Sequence, residues 1–450
     1  MNRISWERLI AWFQRTPLAR FVVWTATGII IWNFSSKAVS DILVYGAFLF
    51  ALTRAFHLRQ GFFFRPDTEK SRGFGGQVGW QTHAMAVWKQ PAGIAFIVIL
   101  IHMILSLPFA IHPALSLRDF SGVLKIIVGV FAIPVIFNTR AKIEAALFYS
   151  ATAITCVLGY DLIRLTVFLG PNLLVQAHIF QPFIFNHSNV ASMMAGASAL
   201  VFFYFFWQWR HQLLPALGCL GGMLIGLTYL VILTSRGPQI AFVLTCAGTV
   251  FLIPGRVVKL LVFLIIVLAG FTLFVNIEHV NPRFLEKRSM TNFSERDKVW
   301  THTWELAQQH PWLGYGYGKR NFEMVYYSTH PPKSIFHYPH PHQFWLKLLF
   351  EFGWPGLILH LMAWIILAFS LWRCVFAQPT FTGRLLPGTV GLIFCFIHLY
   401  GLGDYPDNIV MLAQFWLIPM ALVLISQQAQ SKVMIRSSAT SPIPAYEHTA

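Results

Sequence analysis

The sequence has few charged residues and no cysteine pattern that indicates disulfides or a thiolate metal site. Only 11% of its 450 residues are charged, whereas about 25% is usual in soluble domains. Its five cysteines form no CxxC pair, and none lies in a segment predicted below to face the outer side. The chain also has no internal repeat and no polar stretch long enough to fold alone. These absences argue against a soluble enzyme and a disulfide-stabilised scaffold.

Long apolar stretches take up most of the chain instead. Hydrophobic residues make up 56% of the sequence, and a membrane-spanning helix needs roughly 20 of them in succession. We therefore predict an all-α integral membrane protein with about twelve transmembrane helices. The first apolar run lacks a small-residue cleavage site and is expected to be retained as a helix. The predicted spans are 17–34, 40–57, 91–110, 120–137, 143–168, 187–208, 212–234, 237–254, 257–277, 343–371, 386–402 and 408–426.

The net charge of +16 comes from 33 basic and 17 acidic residues. Such a charge can indicate nucleic-acid binding, but Lys and Arg also accumulate in the cytoplasmic loops of membrane proteins. With twelve helices, most basic clusters outside the long segment 278–342 fall on one side. We therefore predict a bacterial inner-membrane protein with both termini in the cytoplasm, membrane lipids as partners and no nucleic-acid partner. The clusters are 58–90, 138–142, Arg210, Arg256 with Lys259, Arg373 with Arg384, and 432–436.

The predicted organisation places one large loop on the opposite, periplasmic side. Transmembrane helices 1–9 occupy 1–277, the periplasmic loop occupies 278–342, helices 10–12 occupy 343–429, and a disordered cytoplasmic tail follows at 430–450. Within the loop, SERDKVWTHTWELAQQH predicts a short helix with Ser294 as N-cap. Trp300 and Trp304 share one face of this helix. We expect the helix to be held against the membrane surface. The glycines of HPWLGYGYG end it.

Two arginines near the outer side could bind an anion. Arg236 lies at the outer end of the predicted seventh helix, where an arginine often only extends toward the membrane surface. Alternatively, its planar guanidinium holds a phosphate through two parallel hydrogen bonds. Arg296 in the loop helix is either a solvated residue beside Glu295 and Asp297 or a second clamp on the same phosphate.

Three histidines precede the tenth predicted helix in the segment HYPHPHQF. His337, His340 and His342 could bind a metal ion. However, Pro339 and Pro341 impose an extended chain, and no acidic residue is close in sequence. A general base is the preferred interpretation, because imidazole titrates near neutral pH. No metal is expected.

Ionisable residues also occur inside the predicted spans, where they are costly and usually face a cavity or a partner. Lys125 lies early in the fourth span, and Asp161 and Arg164 lie three residues apart late in the fifth. Asp161 and Arg164 could form a mutual ion pair. By the predicted topology, Lys125, Arg164 and Arg236 lie at similar depth, where their charge is available to an anionic lipid headgroup.

Four sequence elements resemble the O-antigen ligase and polymerase superfamily. The histidine motif is His342-Gln343-(x)2-Leu346-(x)4-Glu351-x-Gly353-(x)2-Gly356, in which the family usually has Asn where this chain has Gln343. The Ser235-Arg236-Gly237 tripeptide is similar, and so is Arg296-(x)3-Trp300 followed by HPWLGYG. A fourth element is FNHSN at 185–189. The four occur in order over 185–356, whereas the first 150 residues match only as hydrophobic spans.

This resemblance implies a fold of about twelve helices with a large periplasmic loop that contains short helices. It implies transfer of a glycan from undecaprenyl diphosphate to a sugar hydroxyl of lipid A-core, without nucleotide or metal. His342 is then the expected general base, and Arg236 and Arg296 the expected cations on the diphosphate. Further substrate contacts are expected from His340, His337, Arg288, Arg164 and Lys125.

Two alternatives remain open from the sequence. An O-antigen polymerase would use the same donor but a second carrier-linked glycan as acceptor. Polymerases often have two substantial arginine-bearing outer loops, and here segment 169–186 contains no Lys or Arg. An anion transporter would fit twelve helices, but transporters tend to bind at the membrane midplane between internal repeats. The charges here lie in the outer third of the spans.

Overall fold

The computed structural model describes residues 87–120, 140–170, 188–232, 236–250, 296–329, 340–402 and 420–425, with single positions between some of them. Regular structure in these ranges is helical, and no strand occurs in them. The helices are α1 (Pro91–Ser106), α2 (Arg140–Leu169), α3 (Ser188–Trp209), α4 (Leu213–Ile232), α5 (Arg236–Thr249), α6 (Arg296–Gln309), α7 (Lys319–Thr329), α8 (Phe344–Phe376) and α9 (Phe381–Gly401).

Six of the described helices are long and apolar enough to cross a membrane: α1 with the 3-10 turn that follows it, α2, α3, α4, α8 and α9. The fold class is therefore a multi-pass helical membrane protein, as predicted. Helices α1–α5, α8 and α9 lie where spans 91–110, 143–168, 187–208, 212–234, 237–254, 343–371 and 386–402 were predicted. The spans 17–34 and 40–57 and most positions of 120–137, 257–277 and 408–426 lie outside the described residues, so the count of twelve stays a prediction.

Successive spanning helices run in opposite directions. Glu144, near the start of α2, accepts a hydrogen bond from Tyr204, near the end of α3, at 2.7 Å. The backbone of Gly226 in α4 approaches the carbonyl of Ala195 in α3. At the other side of the bundle, Trp364 in α8 contacts Phe394 in α9 with ring centroids 4.9 Å apart.

Several arginines are gathered at one end of this bundle. Arg140 donates to Glu144 at 2.9 Å and to the carbonyl of Thr382 at 3.5 Å, which ties the start of α2 to the start of α9. Trp207 near the end of α3 contacts Phe381 at the same end. Arg210, Arg373 and Arg384 also belong to helix ends on this side. This grouping is the one expected of cytoplasmic loops. The opposite end, called the His342 end below, contains the ends of α4 and α9 and the starts of α5 and α8.

Helix α8 is divided at Gly353, where φ is +64°. Phe344 and Trp364 both contact His398 in α9, with ring centroids 6.1 and 4.5 Å away. Twenty residues of straight helix would separate them by about 30 Å, so the chain folds back at the break. The prediction of one continuous helix over 343–371 is therefore wrong. Only the part after Gly353 spans the bundle, and the half-helix 344–352 is buried on every face except at Trp345, as expected for an all-round apolar helix inside a protein.

Helices α6 and α7 form a small layer over this break. Leu306, Tyr315, Phe322, Val325 and Phe350 make a hydrophobic cluster separate from the main core. The prediction of a loop helix ended by HPWLGYGYG is confirmed, although Ser294 lies outside the described residues. Helix α7 was not predicted.

Candidate functional site

The glycine-rich turn after α6 is bound to the break in α8 through the backbone. Tyr315 N–H donates to the Phe350 carbonyl at 2.8 Å, Gly316 N–H to the Glu351 carbonyl at 3.0 Å, and Trp354 N–H to the Pro311 carbonyl at 2.7 Å. The break frees these α8 groups from the helical pattern, and the turn satisfies them. Gly314 and Gly353 both have positive φ. A Cβ on Gly314 would collide with the backbone of Glu351, and one on Gly353 would collide with the backbone of Pro311. We call this pairing of residues 311–318 with 350–354 the clasp.

A buried carboxylate closes the clasp. Glu351 accepts a hydrogen bond from Gly318 N–H at 2.9 Å, and its side chain is 2% exposed. Lys347, one turn earlier in α8, places its Nζ 3.8 Å from Glu351 and is also buried. A buried pair of this kind is costly to break on one side only.

A second carboxylate fixes the start of α7. Asp119, in the helical turn 113–120 that follows α1, accepts a hydrogen bond from Arg320 N–H at 3.0 Å and lies 3.4 Å from its guanidinium. The first N–H groups of a helix have no intrahelical acceptor, so a carboxylate here acts as a cap supplied by another segment. Glu351 and Asp119 together hold the loop on the bundle.

His342 has an unusual backbone conformation immediately before α8. Its φ is +55°, and no other described residue except glycine has a positive φ. Such a conformation costs on the order of 1–3 kcal/mol and is concentrated at functional sites. The rings of His340 and His342 are 4.2 Å apart, and both residues are half-buried. The structure thus brings two of the three predicted histidines into contact.

The backbone of Arg236 lies at this same end of the bundle. Arg236 is the first residue of α5, and its side chain lies outside the described residues. A Cβ on Gly237 would be 3.3 Å from the ring of Tyr400, and one on Gly401 would be 3.4 Å from Cβ of Phe344. The end of α9 therefore separates the start of α5 from the segment that carries His342. The two predicted site segments face the same side of the membrane protein.

Arg296 opens α6 and is half-exposed. Trp300, one turn later, packs against the main hydrophobic core, so the start of α6 lies against the bundle. Two loop histidines contact neighbouring side chains of the loop. His302 is within hydrogen-bonding distance of Thr329 at 3.0 Å and contacts the ring of Tyr326, while His310 contacts Tyr315. Burial raises the pKa of the Tyr315 phenol, which donates to Gln309 at 3.2 Å.

Arg164 forms the ion pair with Asp161 that the sequence suggested. Its Nη1 is 3.1 Å from Oδ1 of Asp161, and Tyr229 of α4 donates to the other carboxylate oxygen at 3.2 Å. Asp161 is fully buried, whereas the Arg164 side chain is 35% exposed. The pair therefore orients Arg164 near the His342 end while leaving part of its side chain accessible.

Lys125, Arg288 and His337 lie outside the described residues, so their predicted roles stay predictions. Within the described ranges, no three His, Cys, Asp or Glu side chains are grouped closely enough to hold a metal ion. The three-histidine metal site includes His337, so it stays open to a test by metal binding.

Neither the Lys347–Glu351 pair nor the role of Asp119 was predicted from the sequence. A signal for the pair was available, since a Lys and a Glu four residues apart inside the apolar run FWLKLLFEF can face each other on a helix. Asp119 gave no such signal, because its partner is 201 positions away. This end of the bundle therefore contains an imidazole in a constrained backbone, and the end of α9 lies between it and the start of α5.

Residues 221–361 match the sequence model of a family described as O-Antigen ligase. The matched range contains Arg236, Arg296, His340, His342 and the whole clasp, whereas Lys125 and Arg164 precede it. Comparison with curated proteins found none that matches the chain.

Proposed function

Because residues 221–361 match the sequence model of a family described as O-Antigen ligase, we propose that this protein is a membrane glycosyltransferase and, more specifically, an O-antigen ligase. It transfers a glycan from undecaprenyl diphosphate to a sugar hydroxyl of lipid A-core. The reaction takes place at the His342 end, which faces the periplasm because the opposite end carries the arginines typical of cytoplasmic loops.

The constrained conformation of His342 is the observation that carries the proposal. A left-handed backbone at a non-glycine residue is retained only where the surrounding structure enforces it. The buried half-helix 344–352 and the clasp supply that enforcement. His342 acts as the general base that removes the proton of the acceptor hydroxyl, a contribution of roughly 100- to 10,000-fold in rate. His340 and His337 contact the substrate beside it.

The arginines stabilise the charge that develops on the leaving diphosphate. Arg236 and Arg296 serve this purpose through bidentate guanidinium groups. Losing one such group costs about 3–4 kcal/mol in the barrier. Arg288, Arg164 and Lys125 add positive charge for the lipid headgroup. Direct displacement inverts the anomeric centre, and the diphosphate bond already activates the donor, so neither nucleotide nor metal is required.

Reconstitution tests this proposal directly. Purified protein, carrier-linked glycan and lipid A-core should give glycan-bearing lipid A-core on a gel. His342→Ala should abolish product while the protein still accumulates in the membrane. His211→Ala is the matched control, because His211 is exposed at the arginine-rich end and its loss should leave transfer unchanged. Wild-type product from His342→Ala would remove His342 from the mechanism.

The polymerase alternative predicts a different product. A polymerase would lengthen the carrier-linked glycan in the absence of lipid A-core, whereas a ligase would leave it unchanged. In cells, loss of a ligase leaves long carrier-linked chains and bare core. Loss of a polymerase leaves core with a single repeat unit.

A further inference from the structure

A stripe of exposed apolar side chains runs along α8 after Gly353, where Met362 and Phe376 are also exposed. The stripe consists of Trp354, Ile358, Leu361, Ile365, Phe369 and Trp372. They recur at intervals of three or four residues and therefore lie on one face of the helix. Eighteen residues of helix separate the two tryptophans, or about 27 Å, close to the roughly 30 Å hydrocarbon thickness of a bilayer. Tryptophans concentrate at both membrane interfaces, so Trp354 and Trp372 mark them.

The loop layer extends this stripe beyond α8 at the His342 end. The ring of Trp304 in α6 is 5.9 Å from that of Trp354 and is 46% exposed. In the turn after α6, Trp312 is 74% exposed and Leu313 is 53% exposed. The hydrogen bond from Trp354 N–H to the Pro311 carbonyl holds this turn at the level of Trp354. Exposed apolar side chains grouped in this way mark an interaction surface.

We propose that Trp304, Trp312, Leu313 and Trp354 form a surface that inserts into the lipid headgroup region of the membrane at the His342 end. Lipid is the occupant because the surface is continuous with the stripe of α8, a helix long and apolar enough to cross a membrane. Indole rings suit this position, since their apolar body and polar N–H match the two sides of the interface. Helix α6 then lies along the membrane and not in bulk water.

This surface also fixes the depth of the segment that carries His342. About 15 Å of helix separates Trp354 from Trp364, yet Phe344 and Trp364 both contact His398. The half-helix 344–352 therefore begins below the level of Trp354, on the membrane side of the interface. His342, two residues earlier, lies within about 7 Å of that start.

Fluorescence quenching of the full-length protein tests the surface without measuring activity. The protein is placed in nanodiscs of phosphatidylcholine brominated at carbons 6 and 7 of one acyl chain, or of the unbrominated lipid. The contribution of each tryptophan is obtained as the difference between wild type and Trp304→Phe, Trp312→Phe, Trp372→Phe or Trp88→Phe. Trp372 is the lipid-facing reference, and the buried Trp88 is the control that lipid should not reach.

Brominated lipid should quench the signals of Trp304 and Trp312 by a fraction comparable to that of Trp372. Aqueous acrylamide should quench them no more than it quenches Trp372. Loss of the Trp304 or Trp312 signal to acrylamide alone, with Trp372 quenched by lipid, would overturn the surface. Absence of lipid quenching at Trp372 would contradict the assignment of Trp354 and Trp372 to the two membrane interfaces. Neither result depends on transfer activity, so a failure here is separate from a failure of the proposed function.

Discussion

Glu351 accepts the backbone N–H of Gly318 at 2.9 Å, although 33 positions separate the two residues in the chain. Together with the backbone hydrogen bonds of the clasp, this bond connects the segment that follows His342 to the turn after α6. It explains why a histidine motif should extend to an acid and a glycine nine and eleven residues later. The acid and Gly353 hold that turn against the break in α8.

The first prediction concerns the buried pair of Lys347 and Glu351. Glu351→Gln keeps an oxygen for Gly318 but leaves the Lys347 charge buried without its carboxylate, so the protein should lose about 3–5 kcal/mol of stability. Adding Lys347→Met to Glu351→Gln should recover much of that loss, because the uncompensated charge is gone. Thermal unfolding in detergent measures both variants. A double variant less stable than Glu351→Gln alone would contradict the ion pair. Glu305→Ala, at a 62% exposed side chain, should change stability by less than about 0.5 kcal/mol.

The second prediction concerns the break at Gly353. Gly353→Ala adds a Cβ against the Pro311 carbonyl at a φ that L-residues rarely adopt, and should lower stability by about 2 kcal/mol or more. Gly218→Ala is the control, because Gly218 is exposed within α4 with open space around it. That variant should be neutral or gain up to about 1 kcal/mol from helix propensity. Equal melting temperatures for the two alanine variants would show that the clasp does not constrain Gly353.

The third prediction separates structure from chemistry at His342. His342→Gly relieves the left-handed backbone strain, so this variant should be about 1 kcal/mol more stable to unfolding than His342→Ala. Both variants should nevertheless lack transfer activity, because both lack the imidazole. The measurement pairs thermal unfolding with product formation. Retained activity in His342→Gly would mean that the histidine serves only the backbone.

The fourth prediction concerns the arginine at the start of α5. Arg236→Lys keeps the charge but loses the bidentate fork, and should lower kcat by about 100-fold or more. Arg210→Lys is the matched control at the opposite end, where Arg210 lies over the Trp207 ring. Its kinetics should equal those of the wild type. An active Arg236→Lys enzyme would assign Arg236 to the membrane surface instead of the diphosphate.

The fifth prediction concerns metal. Transfer by the purified protein should proceed at its full rate in excess chelator. In the proposed mechanism, guanidinium groups and not a metal ion stabilise the negative charge of the diphosphate. A strict requirement for a divalent ion would revive the metal site of His337, His340 and His342. Substituting each histidine and measuring metal binding would then identify the ligands.

Helix positions were predictable because apolar run length reflects membrane thickness directly. Helices α2, α3 and α4 begin and end within three residues of the predicted spans. The ion pair of Asp161 and Arg164 was also foreseeable, because residues three apart meet on one helix face. Its third member, Tyr229, was not, because it comes from another helix and only packing brings it there.

The candidate site was predictable as a set of residue types but not as an arrangement. His342 and Arg236 were identified from charge, motif and position, whereas the left-handed backbone of His342 and the contact with His340 required coordinates. The prediction of one helix over 343–371 was wrong because hydropathy does not show where the chain reverses direction within an apolar run. Gly353 and Pro355 are tolerated in many membrane helices, so neither marks a reversal by itself.

The sequence alone determined the membrane class, the approximate positions of the described spans other than α8, and the gathering of Arg140, Arg210, Arg373 and Arg384 at one end. These features depend on local composition, which the bilayer selects residue by residue. Only the tertiary structure decided that α8 folds back at Gly353, that Glu351 and Asp119 anchor the loop, and that α5 and His342 share one end. Those features depend on backbone groups and carboxylates from distant segments satisfying each other inside a low-dielectric bundle, where an unmatched partner is costly.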